Sequence, residues 1–209
     1  MLRLLIVRHG ETDWNASGRY QGQLDTALNP AGRQQARAVA RRLAAEEIHA
    51  IYSSDLRRAF DTAAAIAEPH PVDAIPEPRL REVHWGVWQG MTRAQIETQD
   101  AERLATWAKD RVNLQAPNGE SLAQVADRVQ GVLDEIRARH PDETVVLVAH
   151  GGVVRLVACL LLDHPLSHYW QFEVDNTAIG EIEVQGRGVV LTRWNDTHHL
   201  AGGHRQSVF

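Results

Sequence analysis

The sequence contains a single cysteine, Cys159, so it cannot form an internal disulfide, and such sparing use of cysteine is typical of a reducing compartment. Long hydrophobic runs are also missing. The N-terminal stretch LRLLIV is followed at once by Arg8 and His9, which makes it too short for a membrane span or a signal peptide. Cys159 itself lies in an apolar helical pattern, where a small core residue is expected. The sequence therefore predicts a cytoplasmic protein without a membrane segment.

An excess of positive charge is absent as well. The formal net charge is −5 at pH 7, which argues against general affinity for nucleic acid or for an anionic membrane surface. Any anion site must therefore be local and formed by a few converging cations. No internal repeat, low-complexity tract or linker divides the 209 residues, of which 44% are hydrophobic. Residues 1–209 are thus predicted to form one domain with a sizeable core.

Short apolar runs alternate with amphipathic helical patterns along the chain. This alternation predicts a three-layer α/β domain, in which helices flank a mainly parallel sheet and an edge hairpin lies near the C-terminus. The predicted strands are 2–7, 48–54, 72–76 and 144–149, and the hairpin is 177–185 with 189–195. Asn29 and Ser121 are predicted N-caps of two of the helices. The irregular segment 84–118 is predicted to be a lid that faces the substrate.

Two of the predicted buried strands end in polar residues. The run LLIVRHG ends in Arg8 and His9, and VVLVAHGG ends in His150 and Gly151. Ligands of parallel α/β sheets bind beyond the carboxyl ends of the strands, so these residues are expected to face one crevice. An imidazole there can be a nucleophile, a base or a metal ligand, and arginine is suited to fork-like binding of phosphate.

Two further segments place charged residues near such a crevice. In SSDLRRAFDTA, Arg57 and Arg58 fall at the start of a helix, where a cation is disfavoured unless an anionic ligand compensates it. One of the pair is therefore expected to bind an anion, and the other to be a solvated surface residue. In RLREVHWGVWQG, Glu82 is followed closely by Trp85 and Trp88, and a carboxylate that tryptophans desolvate can act as a general acid.

Five blocks of the sequence together resemble the histidine phosphatase (phosphoglycerate mutase-like) superfamily, in the same order and over nearly the whole chain. They are RHGETDWN, QGQLDTALNPAGRQQA, SSDLRRAFDTA, LREVHWGVWQG and VAHGG. The resemblance implies a phosphatase that hydrolyses small phosphomonoesters through a phosphohistidine intermediate. It also implies that no metal and no cofactor is needed, because cationic side chains compensate the charge of the phosphoryl group.

The resemblance assigns roles residue by residue. It makes His9 the nucleophile and Glu82 the proton donor, and it makes His150 a catalytic group that in its protonated form adds positive charge. The implied phosphate-binding residues are Arg8, Asn15, Arg58, His150 and Gly151, which leaves Arg57 on the surface. Residues expected to face the substrate are Gln21, Gly22, His84 and Trp85, and Trp88 and Trp107 offer further flat apolar surfaces. The histidine-rich stretch 196–204 is interpreted as a polar tail rather than a metal site.

Several alternatives remain open from sequence. A phosphoglycerate mutase would return the phosphoryl group to a second substrate position, but only a modest stretch, 91–116, follows the glutamate block, and this favours a hydrolase. An α-ribazole phosphatase is a second alternative, and a non-catalytic phosphate-binding module a third. The preferred ligand is a small phosphorylated metabolite, either a sugar phosphate or a phosphoglycerate-type acid. By analogy with the family, a homodimer is a further expectation.

Overall fold

The structure is a computed structural model in which residues 1–186 and 188–200 are described. Strands and helices alternate through most of the chain, as the sequence pattern predicts. The strands are β1 (Leu2–Arg8), β2 (Ala50–Ser53), β3 (Ala74–Pro76), β4 (Thr144–Ala149), β5 (Ile179–Gln185) and β6 (Gly188–Asp196). The helices are α1 (Asp13–Ala16), α2 (Pro30–Leu43), α3 (Arg57–Ala67), α4 (Arg93–Gln99), α5 (Ala101–Trp107), α6 (Leu122–Arg139) and α7 (Gly151–Leu161).

The six strands form one mixed sheet in the order β3-β2-β4-β1-β5-β6. The pairs β2–β3, β2–β4 and β1–β4 are parallel, whereas β5 pairs antiparallel with β1 and with β6. The fold class predicted from the sequence, an α/β domain with a mainly parallel sheet and a C-terminal edge hairpin, is confirmed. The predicted strand 72–76 is reduced to the three residues of β3, at the edge of the sheet.

Each face of the sheet is covered by helices, which explains why its central strands read as continuous apolar runs. Leu4 and Ile6 of β1 pack on one face with residues of α6 and α7, while Leu5 and Val7 pack on the other face with α2 and α3. Cys159 of α7 is buried, as expected of a core residue. Asn29 and Ser121 cap α2 and α6, the latter in a capping box with Gln124. In the described residues, no helix is long and apolar enough to cross a membrane.

The irregular segment 84–118 builds a third, smaller hydrophobic cluster beside the carboxyl edge of the sheet. Its buried members are Trp88, Ile96, Leu104, Trp107 and Ala116. Trp107 contacts both Trp85 and Trp88 edge to face, with ring centroids 5.8 and 5.7 Å apart. The segment is therefore an ordered, packed structure that stands over the strand ends.

Candidate active site

Three adjacent strands deliver the predicted site residues to one place. Arg8 at the end of β1 is in register with Ala149 at the end of β4, so His9 and His150 leave the sheet side by side. Their ring centroids are 5.1 Å apart. β2, on the far side of β4, ends at Ser53 and leads into α3, whose second residue is Arg58. The crevice predicted from the sequence is thus present in the fold.

A cavity of about 810 Å³ opens at this edge of the sheet. Most of the residues singled out from the sequence line it. These are Arg8, His9, Asn15, Gln21, Gly22, Arg58, Glu82, Trp85 and Gly151, together with Trp107 from the segment 84–118.

His9 is held as a neutral imidazole with one nitrogen free to react. Its Nδ1 lies 2.7 Å from the carbonyl oxygen of Gly10, so Nδ1 carries the proton and donates it there. Burial, together with the charges of Arg58 and Arg8, lowers the pKa of His9 well below its ordinary value. The lone pair is therefore on Nε2, and the ring is one of the groups that line the cavity.

Arg8 and Arg58 supply positive charge beside His9 without an acidic partner among the described residues. Arg8 donates to the carbonyl of Val174 at 2.7 Å, and its Nε is buried with no acceptor in hydrogen-bond range in the described part of the chain. Arg58 is fully buried and donates to the carbonyls of Gly22 and Leu24 at 2.7 and 2.8 Å. Burial is the main cause that lowers the pKa of each guanidinium to about 10, so both remain cationic at neutral pH.

Arg57, the residue before Arg58, lies on the surface, as the sequence predicts for one of these two arginines. Arg57 is exposed, whereas Arg58 is buried. Because Arg58 lies in the first turn of α3, its burial at a helix N-terminus is the unfavourable placement that an anionic ligand would compensate.

The hydrogen bonds of His150 in this structure are those of a neutral imidazole. Arg58 Nε donates to His150 Nδ1 at 3.2 Å, which leaves Nε2 to donate to the hydroxyl of Ser54 at 2.8 Å. Burial and the charge of Arg58 lower the pKa of His150 well below its ordinary value. His150 is completely buried behind the cavity wall, so a phosphate oxygen that contacts it has to replace one of these two partners.

Glu82 is held at the N-terminus of α7. One carboxylate oxygen, Oε2, accepts from the backbone N–H of Gly152 at 3.1 Å, and the other, Oε1, accepts from the N–H of Val83 at 2.9 Å. The first N–H groups of a helix have no partner within the helix, which makes this end of α7 suited to a carboxylate. Glu82 thus lines the cavity on the side formed by Gly151 and Gly152.

Gly152→Ala is expected to displace Glu82 and to lower kcat by about 10²-fold, while the fold is retained, because general acid–base catalysis contributes about that much. A Cβ atom at residue 152 would lie 2.4 Å from Oε1 of Glu82, which is closer than real contacts allow. The measurement is kcat for phosphate release beside thermal unfolding. Gly131→Ala in α6, where the nearest atom to a new Cβ is 3.7 Å away, is the matched control. Equal kcat values in the two variants would contradict the placement of Glu82.

Asn15, Gln21 and Gly22 reach the cavity from the loop after β1. The Oδ1 atom of Asn15 accepts from the N–H and the hydroxyl of Thr12, so its NH₂ group is the part that remains to bind a ligand. Gln21 is buried and its Oε1 accepts from the hydroxyl of Thr26 at 2.5 Å. These contacts fix the orientation of both amides at the cavity wall.

Two aromatic residues predicted near the substrate lie elsewhere. His84 does not line the cavity, because its Nδ1 accepts from the backbone N–H of Gly86 and its own N–H is bonded to Glu120. Trp88 is buried in the cluster of segment 84–118, where its indole N–H donates to Asp100 at 2.7 Å. Among the tryptophans expected from the sequence to face a substrate, Trp85 and Trp107 do line the cavity.

The residues just before β5 support the backbone of Arg8 and His9 and were missed by sequence reasoning. The side-chain amide of Asn176 donates to the carbonyl of His9 at 2.8 Å, and the N–H of Thr177 donates to the carbonyl of Arg8 at 3.0 Å. Thr177 has a φ of 57°, in the left-handed region that few such residues adopt. Both side chains are buried. No periodic pattern marks these residues, because their role depends on the pairing of β1 with β5.

The outer wall of the cavity was also missed. It is formed in part by the second turn of α7 and by residues 169–174, which follow that helix. Sequence patterns do not distinguish these two regions from an ordinary helix and loop. The cavity-lining residues of these regions are Arg155, Tyr169, Trp170, Gln171, Glu173 and Val174. Helical spacing was the available signal, since Arg155 is four residues after Gly151 and on the same face of α7.

The free energy of unfolding is expected to fall as the pH is lowered from about 6.5. His9 and His150 have pKa values well below those of an unfolded chain, so below pH 6.5 the unfolded state binds protons that the folded state does not. The slope reaches up to about 1.4 kcal/mol per pH unit for each imidazole. Urea unfolding at pH 5.5, 6.5 and 7.5 measures it. His150→Gln should reduce the slope, and an unchanged slope would contradict the assignment.

The described residues contain no group of three or more histidine, cysteine or acidic side chains placed to hold a metal ion. The tail 196–204 lies partly outside the residues that the structure describes. Within the described part, His198 contacts Asp196 at 2.7 Å, and His199 lies 3.2 Å from the hydroxyl of Thr177.

Comparison with known proteins identifies the family of the chain. Residues 4–197 match the family model of the histidine phosphatase superfamily, branch 1. Phosphoserine phosphatase 1 of Hydrogenobacter thermophilus is 40% identical over 96% of this chain and 95% of its own length. The metal-independent phosphoserine phosphatase of Arabidopsis thaliana is 36% identical over 95% and 83%, respectively. A structure of a mycobacterial glucosyl-3-phosphoglycerate phosphatase with VO₃ superposes with a TM-score of 0.83, at 39% identity, over 92% of this chain and 98% of that one.

The chain therefore belongs to the histidine phosphatase superfamily, as its five sequence blocks predict. Within that superfamily it is a phosphomonoester hydrolase.

Proposed function

We propose that His9 forms a phosphohistidine during the hydrolysis of small phosphomonoesters and that no metal ion is required. One observation carries the proposal: a neutral His9, with Nε2 unprotonated, lines a cavity beside two guanidinium groups that have no carboxylate partner among the described residues. A phosphate dianion placed there would meet a nucleophile and compensating charge together.

In the first step, the phosphoryl group of the ester lies between Arg8 and Arg58, with the NH₂ group of Asn15 and the N–H of Gly151 beside it. His9 Nε2 attacks phosphorus in line with the ester oxygen, and the bond from phosphorus to that oxygen breaks. Glu82 in its protonated form transfers its proton to the departing oxygen, which leaves as an alcohol. The Nδ1–H bond to Gly10 stabilises the positive charge that develops on the ring of His9.

In the second step, Glu82 acts in the opposite direction. Its carboxylate takes a proton from a water molecule, and the water oxygen attacks phosphorus as the bond to His9 Nε2 breaks. The products are inorganic phosphate, neutral His9 and protonated Glu82. The hydrogen bond from Arg58 to His150 gives way to a phosphate oxygen in the complex, and the dianion favours a protonated His150 there.

The substrate we propose is a small metabolite of the sugar phosphate or phosphoglycerate type. The relatives named above are a phosphoserine phosphatase and a glucosyl-3-phosphoglycerate phosphatase, which is consistent with that range. Segment 84–118 would act as the lid, and Trp85 and Trp107 would supply its apolar contacts with the leaving group. Hydrolysis is preferred to mutase activity because the segment that follows Glu82 is short.

We also propose that the protein is cytoplasmic, in line with its single buried cysteine, and a homodimer. β6 is the edge of the sheet and offers unpaired backbone groups for a second copy. Light scattering on the purified protein decides the oligomeric state.

The test of the proposed activity is the release of phosphate, in the presence of EDTA, from p-nitrophenyl phosphate, phosphoserine, 3-phosphoglycerate, glucosyl-3-phosphoglycerate and α-ribazole phosphate. Metal-free release that depends on His9 is the expected result. Interconversion of 2- and 3-phosphoglycerate without release of phosphate would instead identify a mutase.

A further inference from the structure

The cavity carries more positive charge than one phosphate group requires. Six arginines and two glutamates line it, although the protein as a whole has a net charge of −5. Two of the arginines, Arg8 and Arg58, are placed for the phosphoryl group. Of the others, Arg93 forms an ion pair with Glu97 at 2.7 Å. Arg19, Arg111 and Arg155 form no ion pair with an acidic residue in the part of the chain that is described, which leaves charge for a second anionic group.

Arg155 is the one of these three placed beside the phosphate-binding residues. It lies one turn after Gly151 on the same face of α7, a distance of about 6 Å along the helix axis. Side chains on a helix lean toward its N-terminus, so Arg155 extends toward the phosphoryl end of the cavity. Its proximity to Arg8 is consistent with the effect of its charge, which adds to burial in lowering the pKa of Arg8 to about 10.

A hydrogen bond to the backbone orients the guanidinium of Arg155 and leaves its other N–H donors available for a ligand. Its Nε donates to the carbonyl of Phe172 at 2.9 Å, which fixes the plane of the group. The two terminal NH₂ groups remain, and the side chain lines the cavity. A planar group with two parallel donors matches the two oxygens of a carboxylate.

Tyr169 adds a neutral donor to the same part of the cavity. It lies in the helical turn Leu166–Gln171, which follows α7, and lines the cavity. Burial is the main cause that raises the pKa of Tyr169, so its hydroxyl keeps its proton at neutral pH. Arg155 is one of the charges that act on this hydroxyl, which is consistent with a place beside the guanidinium.

We propose that Arg155, with the hydroxyl of Tyr169, binds a carboxylate of the substrate at a subsite one helical turn from the phosphoryl group. The substrate class is then a phosphomonoester of a small hydroxy acid or amino acid, in which few bonds separate the carboxylate from the ester oxygen. This inference rests on the proposed function and narrows it, because an uncharged sugar phosphate would leave the subsite without a partner.

Matched pairs of substrates test the subsite. Phosphoserine is compared with phosphoethanolamine, which lacks only the carboxylate, and 3-phosphoglycerate is compared with glycerol 3-phosphate. The wild type is expected to prefer the carboxylate-bearing member of at least one pair by about 10- to 100-fold in kcat/KM, the range of a charge-assisted hydrogen-bonded pair. Arg155→Gln should remove that preference and change kcat/KM for the other member less than about 3-fold. Arg155→Lys should restore part of it.

Arg93→Gln is the control for the overall charge of the cavity, since Arg93 lines it but is paired with Glu97. It should keep the wild-type preference. If Arg155→Gln does not fold, Tyr169→Phe replaces it and should reduce the preference several-fold, without effect on the substrates that lack a carboxylate.

Three results would overturn the subsite. In the first, the wild type releases phosphate with no preference for the substrate that carries a carboxylate. In the second, Arg155→Gln lowers kcat/KM equally for both members of each pair. In the third, Arg93→Gln loses the preference in the same way as Arg155→Gln. The first of these would leave the phosphatase activity itself intact. A wild type that releases phosphate from none of the substrates would instead refute the proposed function, and the subsite with it.

Discussion

Replacing His9 with alanine is expected to lower kcat for phosphate release by at least about 10⁴-fold, because the substitution removes the nucleophile and with it the covalent route. His9 Nε2 is the ring atom with a lone pair, and Nδ1 is already committed to the carbonyl of Gly10. The substitution removes that single hydrogen bond, so the fold should be retained. Rapid-quench kinetics and the mass of the intact protein, which increases by one phosphoryl group in the wild type, measure the effect.

The control for His9→Ala is His198→Ala, because the side chain of His198 is 95% exposed and does not line the cavity. It should keep wild-type turnover and become phosphorylated to the same extent. Turnover by His9→Ala close to that of the wild type would mean that water attacks phosphorus directly. The mechanism proposed for His9 and Glu82 would then have to be replaced by one in which a general base activates water and no phosphohistidine forms.

Arg58→Lys is the substitution for which we expect the largest joint loss of stability and activity. Lysine keeps the charge but cannot reproduce the planar fork that reaches the carbonyls of Gly22 and Leu24 and the Nδ1 of His150. Buried acceptors left without a donor cost about 2 to 4 kcal/mol of the free energy of unfolding. The loss of fixed charge at the phosphoryl group should lower kcat/KM by about 10²- to 10³-fold.

Arg57→Lys is the matched control, since it changes the same residue type one position earlier on an exposed surface. It should leave the free energy of unfolding within about 0.5 kcal/mol of the wild type and should not change kcat/KM. Urea unfolding and steady-state kinetics on both variants measure the two effects separately. A normal kcat/KM in a destabilised Arg58→Lys would show that Arg58 supports the loop 21–26 but does not act on phosphate.

Features that depend on neighbouring residues were predictable from the sequence. The caps at Asn29 and Ser121 are local hydrogen bonds, and the runs that end in His9 and His150 are local transitions from apolar to polar. The alternation of strands and helices then predicts a parallel sheet whose strands end at one common edge. Here the sequence pattern and the resemblance to the family pointed to the same residues, and the structure places them together.

Features that depend on tertiary contacts were not predictable. The neutral state of His150 results from its burial and from the charge of Arg58, which comes from a different helix. The support of His9 by Asn176 results from a strand pairing across most of the chain. Trp85 and Trp88 look equivalent in the sequence, but a short helical turn directs one to the cavity and the other into a separate core. Sequence spacing alone does not encode such a choice.

The position of β1 in the sheet has a consequence for synthesis of the protein. β1 is synthesised before the other strands of this sheet, yet both of its neighbours, β4 and β5, follow only after residue 143. At about 5 to 20 residues per second, the interval between β1 and β4 is on the order of ten seconds. During that time the segment LRLLIVR is an unpaired apolar strand. The carbonyl of His9 also lacks the hydrogen bond from Asn176 until that residue has been added, so this support of the site forms late in synthesis.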